Sequence, residues 1–390
     1  MDLDYVVVPA LILLIGILVI WLSIRRLLSL SAKVSGRCRR IAERIVLPVI
    51  VLVVGGIAAS AIFNAIALHW FRAHNPPPGE IYIVDGHKMR MYCTGSGTPT
   101  IVLEAGLGDD AFVWRGVQPV LSKTTRVCAY DRAGLGWSDP LPPPRDADHI
   151  AADLHGLLRE AKITGPVVLM GHSVGGIYLR DYASRYPENV AGIVFVDSST
   201  PLQDKRIAAA TKAEGGIQPP PQWVGMLLQR AVLDTGIPRL LGECSRTTPG
   251  FNAYAGRLAA EDGCSVRVSA IAAEDDSFDR SGEETVHTAP YGALSILIFS
   301  HDPAVALSRK FPPAWVASPA LRVDVENIWS QEQEDLKKLS THSRRIVAKG
   351  SNHYIQWRRP DLIEKEVPLF IGQIRGTAPQ PATYGATTTE

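Results

Sequence analysis

Two long apolar segments stand at the start of the chain. The first runs from Val6 to Ile24 and the second from Ile45 to Leu68, and neither contains a charged residue. About 20 apolar residues in a helix suffice to cross the hydrocarbon core of a bilayer, and both segments reach that length. The pattern therefore predicts a membrane anchor of two transmembrane helices over residues 1–72.

The charges around these segments predict their orientation. The loop 25–44 is strongly basic and is opposed only by Glu43, whereas Asp2 and Asp4 precede the first segment. Basic loops favour the cytoplasmic side, so this loop is predicted to be cytoplasmic and the chain after Leu68 extracytoplasmic. A cleaved signal peptide fits poorly, because the leading segment is acidic and no small-residue cleavage pattern follows. The second segment could instead be a buried core helix, but it has no polar face. A single anchor with the other segment interfacial is a further alternative.

The pattern changes after a proline-rich linker at residues 73–80, where Pro76, Pro77 and Pro78 cannot continue a helix. Short β-rich runs then alternate with helical stretches, which predicts a mostly parallel sheet covered by helices over residues 81–375. The strands are predicted at 81–84, 88–93, 100–104, 126–130, 166–170, 190–196, 294–299 and 343–347.

Two stretches depart from this alternation. Residues 199–290 lack a clear central strand, and an insertion of that length between strands is predicted to form a lid or cap. Residues 376–390 are poor in apolar side chains and are predicted to be disordered.

The composition argues against some partners, and it does not decide whether the cysteines form disulfides. The formal net charge of +1 gives no global field that would favour nucleic acid or acidic substrates. Of the five cysteines, Cys38 falls in the predicted cytoplasmic loop. The other four, Cys93, Cys128, Cys244 and Cys264, are compatible with two disulfides in an exported domain or with buried free thiols.

The segment Gly171-His172-Ser173-Val174-Gly175 carries the clearest chemistry. It follows an apolar β-run and opens a helical pattern, which is the context that the nucleophile elbow G-x-S-x-G requires. The tight turn from strand to helix strains the serine backbone and displays its hydroxyl at the carboxyl edge of the sheet. Ser173 is therefore predicted to be the nucleophile.

A serine hydroxyl needs a base, and in this motif a carboxylate and then a histidine follow the serine along the chain. His353 is preferred because it lies on a Gly/Ser/Asn loop after a β-run. His172 adjoins the serine and is expected to point away. The remaining histidines after the elbow are interpreted as ordinary surface or loop residues; they are His287, His301 and His342.

The carboxylate and the oxyanion donors are assigned by position. Asp302 follows the run 294–299 and is favoured as the acid over Asp197, which ends the preceding strand, although both satisfy the chain order. The oxyanion hole requires a backbone N–H after the nucleophile and a second from the loop after an earlier strand. Val174 and Leu107 occupy these positions.

Four segments in this order resemble the α/β-hydrolase superfamily over about 81–199 and 295–370. They are Val102-Leu103-Glu104-Ala105-Gly106-Leu107-Gly108, Tyr130-Asp131-Arg132-Ala133-Gly134-Leu135-Gly136-Trp137-Ser138-Asp139, Gly171-His172-Ser173-Val174-Gly175-Gly176 and Gly350-Ser351-Asn352-His353. The resemblance implies an eight-stranded, mostly parallel sheet with a helical cap after the sixth strand, and hydrolysis without metal or organic cofactor. It also implies a disulfide between Cys93 and Cys128 on neighbouring strands, and a second between Cys244 and Cys264 would staple the cap.

The expected function is that of a membrane-anchored serine hydrolase acting on carboxylic esters. A lipid or other hydrophobic ester is the attractive substrate, because the anchor holds the site near a bilayer; no nucleic-acid partner is expected. The alternatives are an amidase, a peptidase or a C–C hydrolase on the same scaffold, and a non-catalytic, membrane-anchored binding protein.

Overall fold

A computed structural model describes residues 3–28, 37–214, 221–245, 258, 261, 264, 267–287, 290–308 and 318–390. The helices are α1 (Leu3–Leu28), α2 (Arg37–His74), α3 (Gln118–Leu121), α4 (Ala147–Glu160), α5 (Gly175–Arg185), α6 (Gln203–Ala213), α7 (Gln222–Asp234), α8 (Ile237–Leu240), α9 (Val268–Asp275), α10 (Phe278–Val286), α11 (Pro303–Leu307), α12 (Pro319–Asp335), α13 (Ile355–Arg358) and α14 (Pro360–Arg375). The strands are β1 (Glu80–Val84), β2 (His87–Thr94), β3 (Ile101–Glu104), β4 (Val127–Tyr130), β5 (Val167–His172), β6 (Val190–Val196), β7 (Ser295–His301), β8 (Ser343–Ala348) and β9 (Thr387–Thr389).

The chain divides into two compact units. The helical unit comprises Met1–Pro77 and Trp223–Ser269, and the sheet unit comprises Pro78–Gln222 and Ala270–Glu390. Residues 199–290, predicted to form one cap, are therefore divided between the two units, because α6 belongs to the sheet unit and α8 to the helical unit.

The helical unit is built on α1 and α2, which pack against each other. Gly16 faces Val54 at this contact, where an added Cβ would lie 3.4 Å from Val54 Cγ1. Within the described residues, one stretch, Arg44–His74, has the length and apolar composition to cross a membrane. Both predicted apolar segments are therefore helical, and a two-pass topology stays a prediction.

The sheet unit contains one nine-stranded sheet in the order β1-β2-β4-β3-β5-β6-β7-β8-β9. The pairs β1–β2 and β2–β4 are antiparallel, and the pairs from β4–β3 to β8–β9 are parallel. All the predicted strands are confirmed, and they form the mostly parallel sheet that the alternation indicates. Apolar side chains cover both faces, because Ile101 and Leu103 join one buried cluster while Val102, between them, joins another.

The ninth strand corrects the prediction of a disordered tail. Residues Thr387–Thr389 pair in parallel with Arg345–Val347 at the edge of the sheet. The Lys349 N–H also donates to the Glu390 carbonyl oxygen, at 2.7 Å. Strand addition satisfies backbone groups without burying apolar side chains, so low apolar content did not preclude order here.

Both predicted disulfides are confirmed. Cys93 and Cys128 face each other in register on β2 and β4, with Cα atoms 4.0 Å apart. Cys244 and Cys264 are joined within the helical unit, with Cα atoms 5.6 Å apart. The first bridge links the antiparallel edge of the sheet to its parallel part.

Candidate active site

Ser173 occupies the sharp turn between β5 and α5, as the elbow motif predicts. Its φ of 54° lies in the left-handed region, where a non-glycine residue is strained. The residues after the elbow must be glycine because neighbouring parts of the chain approach them closely. A Cβ on Gly175 would lie 2.7 Å from the Ala105 carbonyl oxygen, and one on Gly176 would lie 2.4 Å from Ser198 Cβ. The local sequence thus forces the serine out at the carboxyl end of β5.

The residues predicted from sequence meet at one cavity in the sheet unit. It has a volume of about 510 Å³, and Ser173, His353, Leu107 and Val174 all line it. The loop carrying Leu107 lies against the elbow, since a Cβ on Gly106 would be 3.3 Å from Ser173 Cβ. Among the described residues, no group of three or more His, Cys, Asp or Glu side chains is arranged to hold a metal ion.

The carboxylate beside His353 is Asp197, which corrects the preference for Asp302. His353 Nδ1 lies 2.6 Å from Asp197 Oδ2. Asp302 instead caps α11 by accepting from the Ala304 N–H at 3.0 Å, and its other oxygen accepts from the Gly350 N–H at 2.9 Å. Asp302 therefore fastens the loop that carries His353, while Asp197 contacts the imidazole itself.

Comparisons with known proteins agree with the observed fold. Residues 99–231 match the family model described as alpha/beta hydrolase fold. The sheet unit has the α/β-hydrolase fold. An AB hydrolase superfamily protein of Gibberella zeae is 25% identical over 71% of this chain and 87% of its own length.

Other matches to this chain are shorter or more distant. An uncharacterized protein of Schizosaccharomyces pombe is 33% identical over 32% of this chain and 29% of its own length. Two further curated relatives are matched over only 16% and 39% of their length. A solved thermophilic esterase from Thermogutta terrifontis superposes with a TM-score of 0.51 at 17% identity, covering 76% of this chain and 99% of the esterase, which shows the shared fold.

Asp197 accepts hydrogen bonds from several side chains of this site. It is fully buried and follows β6 with a left-handed φ of 46°. Besides His353, it accepts from His301 Nδ1 at 2.8 Å and from Trp329 Nε1 at 3.0 Å. Burial acts to raise the pKa of Asp197, but His301 and His353 outweigh it and hold the pKa well below the ordinary value. Asp197 is therefore ionised at any physiological pH.

His301, interpreted from the sequence as an ordinary surface or loop residue, is part of the site. Its Nδ1 contacts Asp197 and its Nε2 lies 2.8 Å from Glu326 Oε1. Burial acts to lower the pKa of His301, but Asp197 and Glu326 raise it to about 10. At neutral pH an imidazolium thus lies between two carboxylates, and Asp197 is shared by His301 and His353. No local motif around Ser300-His301-Asp302 signals this contact, which arises from the pairing of β6 with β7.

His172 also differs from expectation, because its side chain lines the cavity. The ring is buried, and its Nε2 lies 3.1 Å from the His353 carbonyl oxygen. Burial, together with the neighbouring His353, lowers the pKa of His172 to about 3. The ring is therefore neutral near pH 7, and a proton on Nε2 lets it donate to the loop that positions His353.

Arg132 holds the loop that precedes Leu107. Its guanidinium is buried and forms ion pairs with Glu104 at 2.8 Å and Glu274 at 2.7 Å. It also donates to the carbonyl oxygens of Ala105 at 2.8 Å and Gly106 at 2.7 Å. These bonds turn two carbonyl groups toward Arg132 and fix the course of the backbone at the Leu107 N–H.

Proposed function

We propose that the chain is a membrane-anchored serine hydrolase that cleaves carboxylic esters through an acyl-enzyme intermediate. The observation that carries the proposal is the bond from His353 Nδ1 to the buried, ionised Asp197, at the same cavity as Ser173. A carboxylate on Nδ1 leaves Nε2 of a neutral imidazole with a lone pair. That lone pair is what a serine hydroxyl needs as a general base.

The proposed reaction has two steps. The Ser173 oxygen attacks the ester carbonyl while His353 Nε2 takes its proton, and the N–H groups of Leu107 and Val174 bind the tetrahedral oxyanion. His353 then returns the proton to the departing alcohol. A water molecule, deprotonated by the same imidazole, attacks the acyl-enzyme and releases the acid and free Ser173. Asp197 stays ionised and stabilises the transient imidazolium throughout.

The cavity supports a substrate with a substantial apolar part. Its lining includes apolar and aromatic side chains, among them Leu107, Val174, Phe278, Val325 and Trp329. A volume of about 510 Å³ falls in the range of small-molecule sites. A hydrophobic acyl ester of medium chain length, or a lipid ester, fits these properties.

The anchoring proposal rests on α2 and on the disulfides. The stretch Arg44–His74 can span a bilayer by length and composition, and the apolar α1 packs beside it. Two disulfides are typical of domains on the oxidising side of a membrane. We therefore place the catalytic domain outside the cytoplasm, with both N-terminal helices crossing the membrane.

The test uses the full chain purified in detergent. Ser173→Ala is compared with Ser308→Ala, which changes an exposed serine directly after α11. Both variants are measured for labelling by a fluorophosphonate probe and for hydrolysis of p-nitrophenyl esters of increasing chain length. We expect Ser173→Ala to lose labelling and at least about 10³-fold in kcat/KM, with Ser308→Ala unchanged. Undiminished hydrolysis by Ser173→Ala would refute the nucleophile. Failure of the wild-type chain to react with the probe or with any ester would favour a binding protein.

A further inference from the structure

Helix α7 in the helical unit has its charged residues inside and its leucines outside. Arg230 and Asp234 are only 2% and 5% exposed, and Arg230 Nε lies 2.6 Å from Asp234 Oδ2. On the opposite side Leu228 is 66% and Val232 is 59% exposed. A helix on a water-facing surface shows the reverse arrangement, with the apolar stripe turned inward.

The apolar surface continues into α8. Leu240 and Leu241 are 63% and 71% exposed, and Ile237 is exposed beside them. The nearby Arg239 is turned inward, where it pairs with Glu261. Within the described stretch 223–241, no charged side chain is exposed. An apolar patch without charges is unusual on a surface in contact with water.

This segment is docked on α2 by polar groups. Asn64 Nδ2 donates to the Leu233 carbonyl oxygen at 3.2 Å, and Asn64 Oδ1 accepts from Arg239 Nε at 2.6 Å. Gly236 adopts a φ of 74°, and a Cβ there would lie 2.2 Å from the Ser60 carbonyl oxygen. The turn between α7 and α8 therefore packs directly on the α2 backbone and satisfies an amide that would otherwise face lipid.

The position of this contact along α2 gives its expected depth in the bilayer. With a rise of 1.5 Å per residue, Ser60 lies about 24 Å and Asn64 about 30 Å beyond Arg44, where the span begins. The hydrocarbon core of a bilayer is about 30 Å thick. The contact thus falls at the far boundary of the hydrocarbon, where interfacial helices lie with their apolar faces buried about 5–10 Å.

We infer that residues 223–241 form a second membrane-contacting element, which rests on the proposed anchoring by α2. The exposed apolar side chains of α7 and α8 enter the acyl-chain boundary of the leaflet in which α2 ends, and the Arg230–Asp234 pair stays inside the protein. The occupant is lipid, because the patch is continuous with the membrane-spanning helix.

Depth-dependent fluorescence quenching tests this inference on the full chain in phosphatidylcholine vesicles. In a Cys38→Ser background, single cysteines replace Leu228 or Leu240 and carry an NBD fluorophore. Val53→Cys, within the span, is the positive control, and Lys338→Cys, with a side chain 76% exposed on the sheet unit, is the negative control. Lipids brominated on the acyl chain should lower the emission at positions 228 and 240 at least twofold, as at position 53, and leave position 338 unchanged.

The controls separate the two proposals. Quenching at position 53 without quenching at 228 and 240 would overturn the interfacial element and leave the anchor intact. No quenching at position 53 would overturn the anchor and the inference together. Disulfide cross-linking between two chains at unlabelled Leu228→Cys, with unquenched probes at 228 and 240, would assign the patch to a second copy and overturn the inference.

Discussion

Replacing Asp197 by asparagine is the sharpest test of the site. The carboxylate accepts from His353 Nδ1 at 2.6 Å and from His301 Nδ1 at 2.8 Å through the same oxygen. Asparagine keeps the shape but presents one amide nitrogen that can only donate. If that nitrogen faces His353, Nδ1 must accept and the proton moves to Nε2. The imidazole then has no lone pair for the Ser173 hydroxyl.

The expected fall in kcat has two causes. The variant loses the correct tautomer of His353 and the negative charge that stabilises its imidazolium. Removing both from such a triad lowers kcat by about 10³–10⁴-fold. At 1.36 kcal/mol per tenfold change, this is a rise of about 4–5.5 kcal/mol in the activation barrier. KM should change little, because Asp197 lies behind His353 and is fully buried.

The assay measures kcat and KM for a p-nitrophenyl ester with the full chain, and Asp302→Asn is the matched control. Asp302 caps α11, and asparagine caps a helix about as well as aspartate, so this replacement should change the stability by less than about 1 kcal/mol while kcat stays within about threefold. The reverse outcome, with Asp302→Asn inactive and Asp197→Asn within tenfold of wild type, would show that the acid assignment from this geometry is wrong.

Three further predictions concern stability, each measured by denaturant unfolding of the full chain in detergent. Arg132→Met removes the ion-pair partner of the buried Glu104 and Glu274 carboxylates and should cost about 3–5 kcal/mol. Arg159→Met, at an exposed ion pair, should cost under about 1 kcal/mol, and equal losses would contradict this. Because the pKa of His172 is lowered to about 3, the stability that its neutral ring contributes to the fold is complete above pH 6.5. This stability falls as the pH drops towards 3. Wild type should lose about 2 kcal/mol more than His172→Asn between pH 6.5 and 5, and parallel pH profiles would contradict this. The double change Cys93→Ser and Cys128→Ser opens a link across 35 residues and should cost about 4 kcal/mol, and an unshifted midpoint would contradict it.

The sequence predicted those parts of the molecule that local pattern determines. The apolar runs located the strands, and the glycine spacing located the elbow, because both depend on backbone geometry within a few residues. The choice between Asp197 and Asp302 depends on which strand end reaches His353, and that is tertiary. One local signal was available, since Asp302 precedes Pro303, and an Asp-Pro pair at a helix start is typical of a cap.

Two other features lay beyond any local pattern. His301 looked ordinary because its partners Asp197 and Glu326 are 104 and 25 residues away. The sequence of α7 places Arg230 and Asp234 on one side of the helix and Leu228 and Val232 on the other, and this periodicity alone does not say which side faces inward. Only the packing on α2 reveals that the charged side is inside.

Arg132 also constrains how this scaffold can be rebuilt. It joins Glu104, on the chain before the insertion, to Glu274, where the insertion returns to the sheet unit, 142 residues after Arg132. A chimera that grafts a foreign specificity segment after β6 must therefore bring an acidic residue back to this place. Without it, the graft would fold beside a loop in which the proposed oxyanion donor, the Leu107 N–H, is no longer held by Arg132.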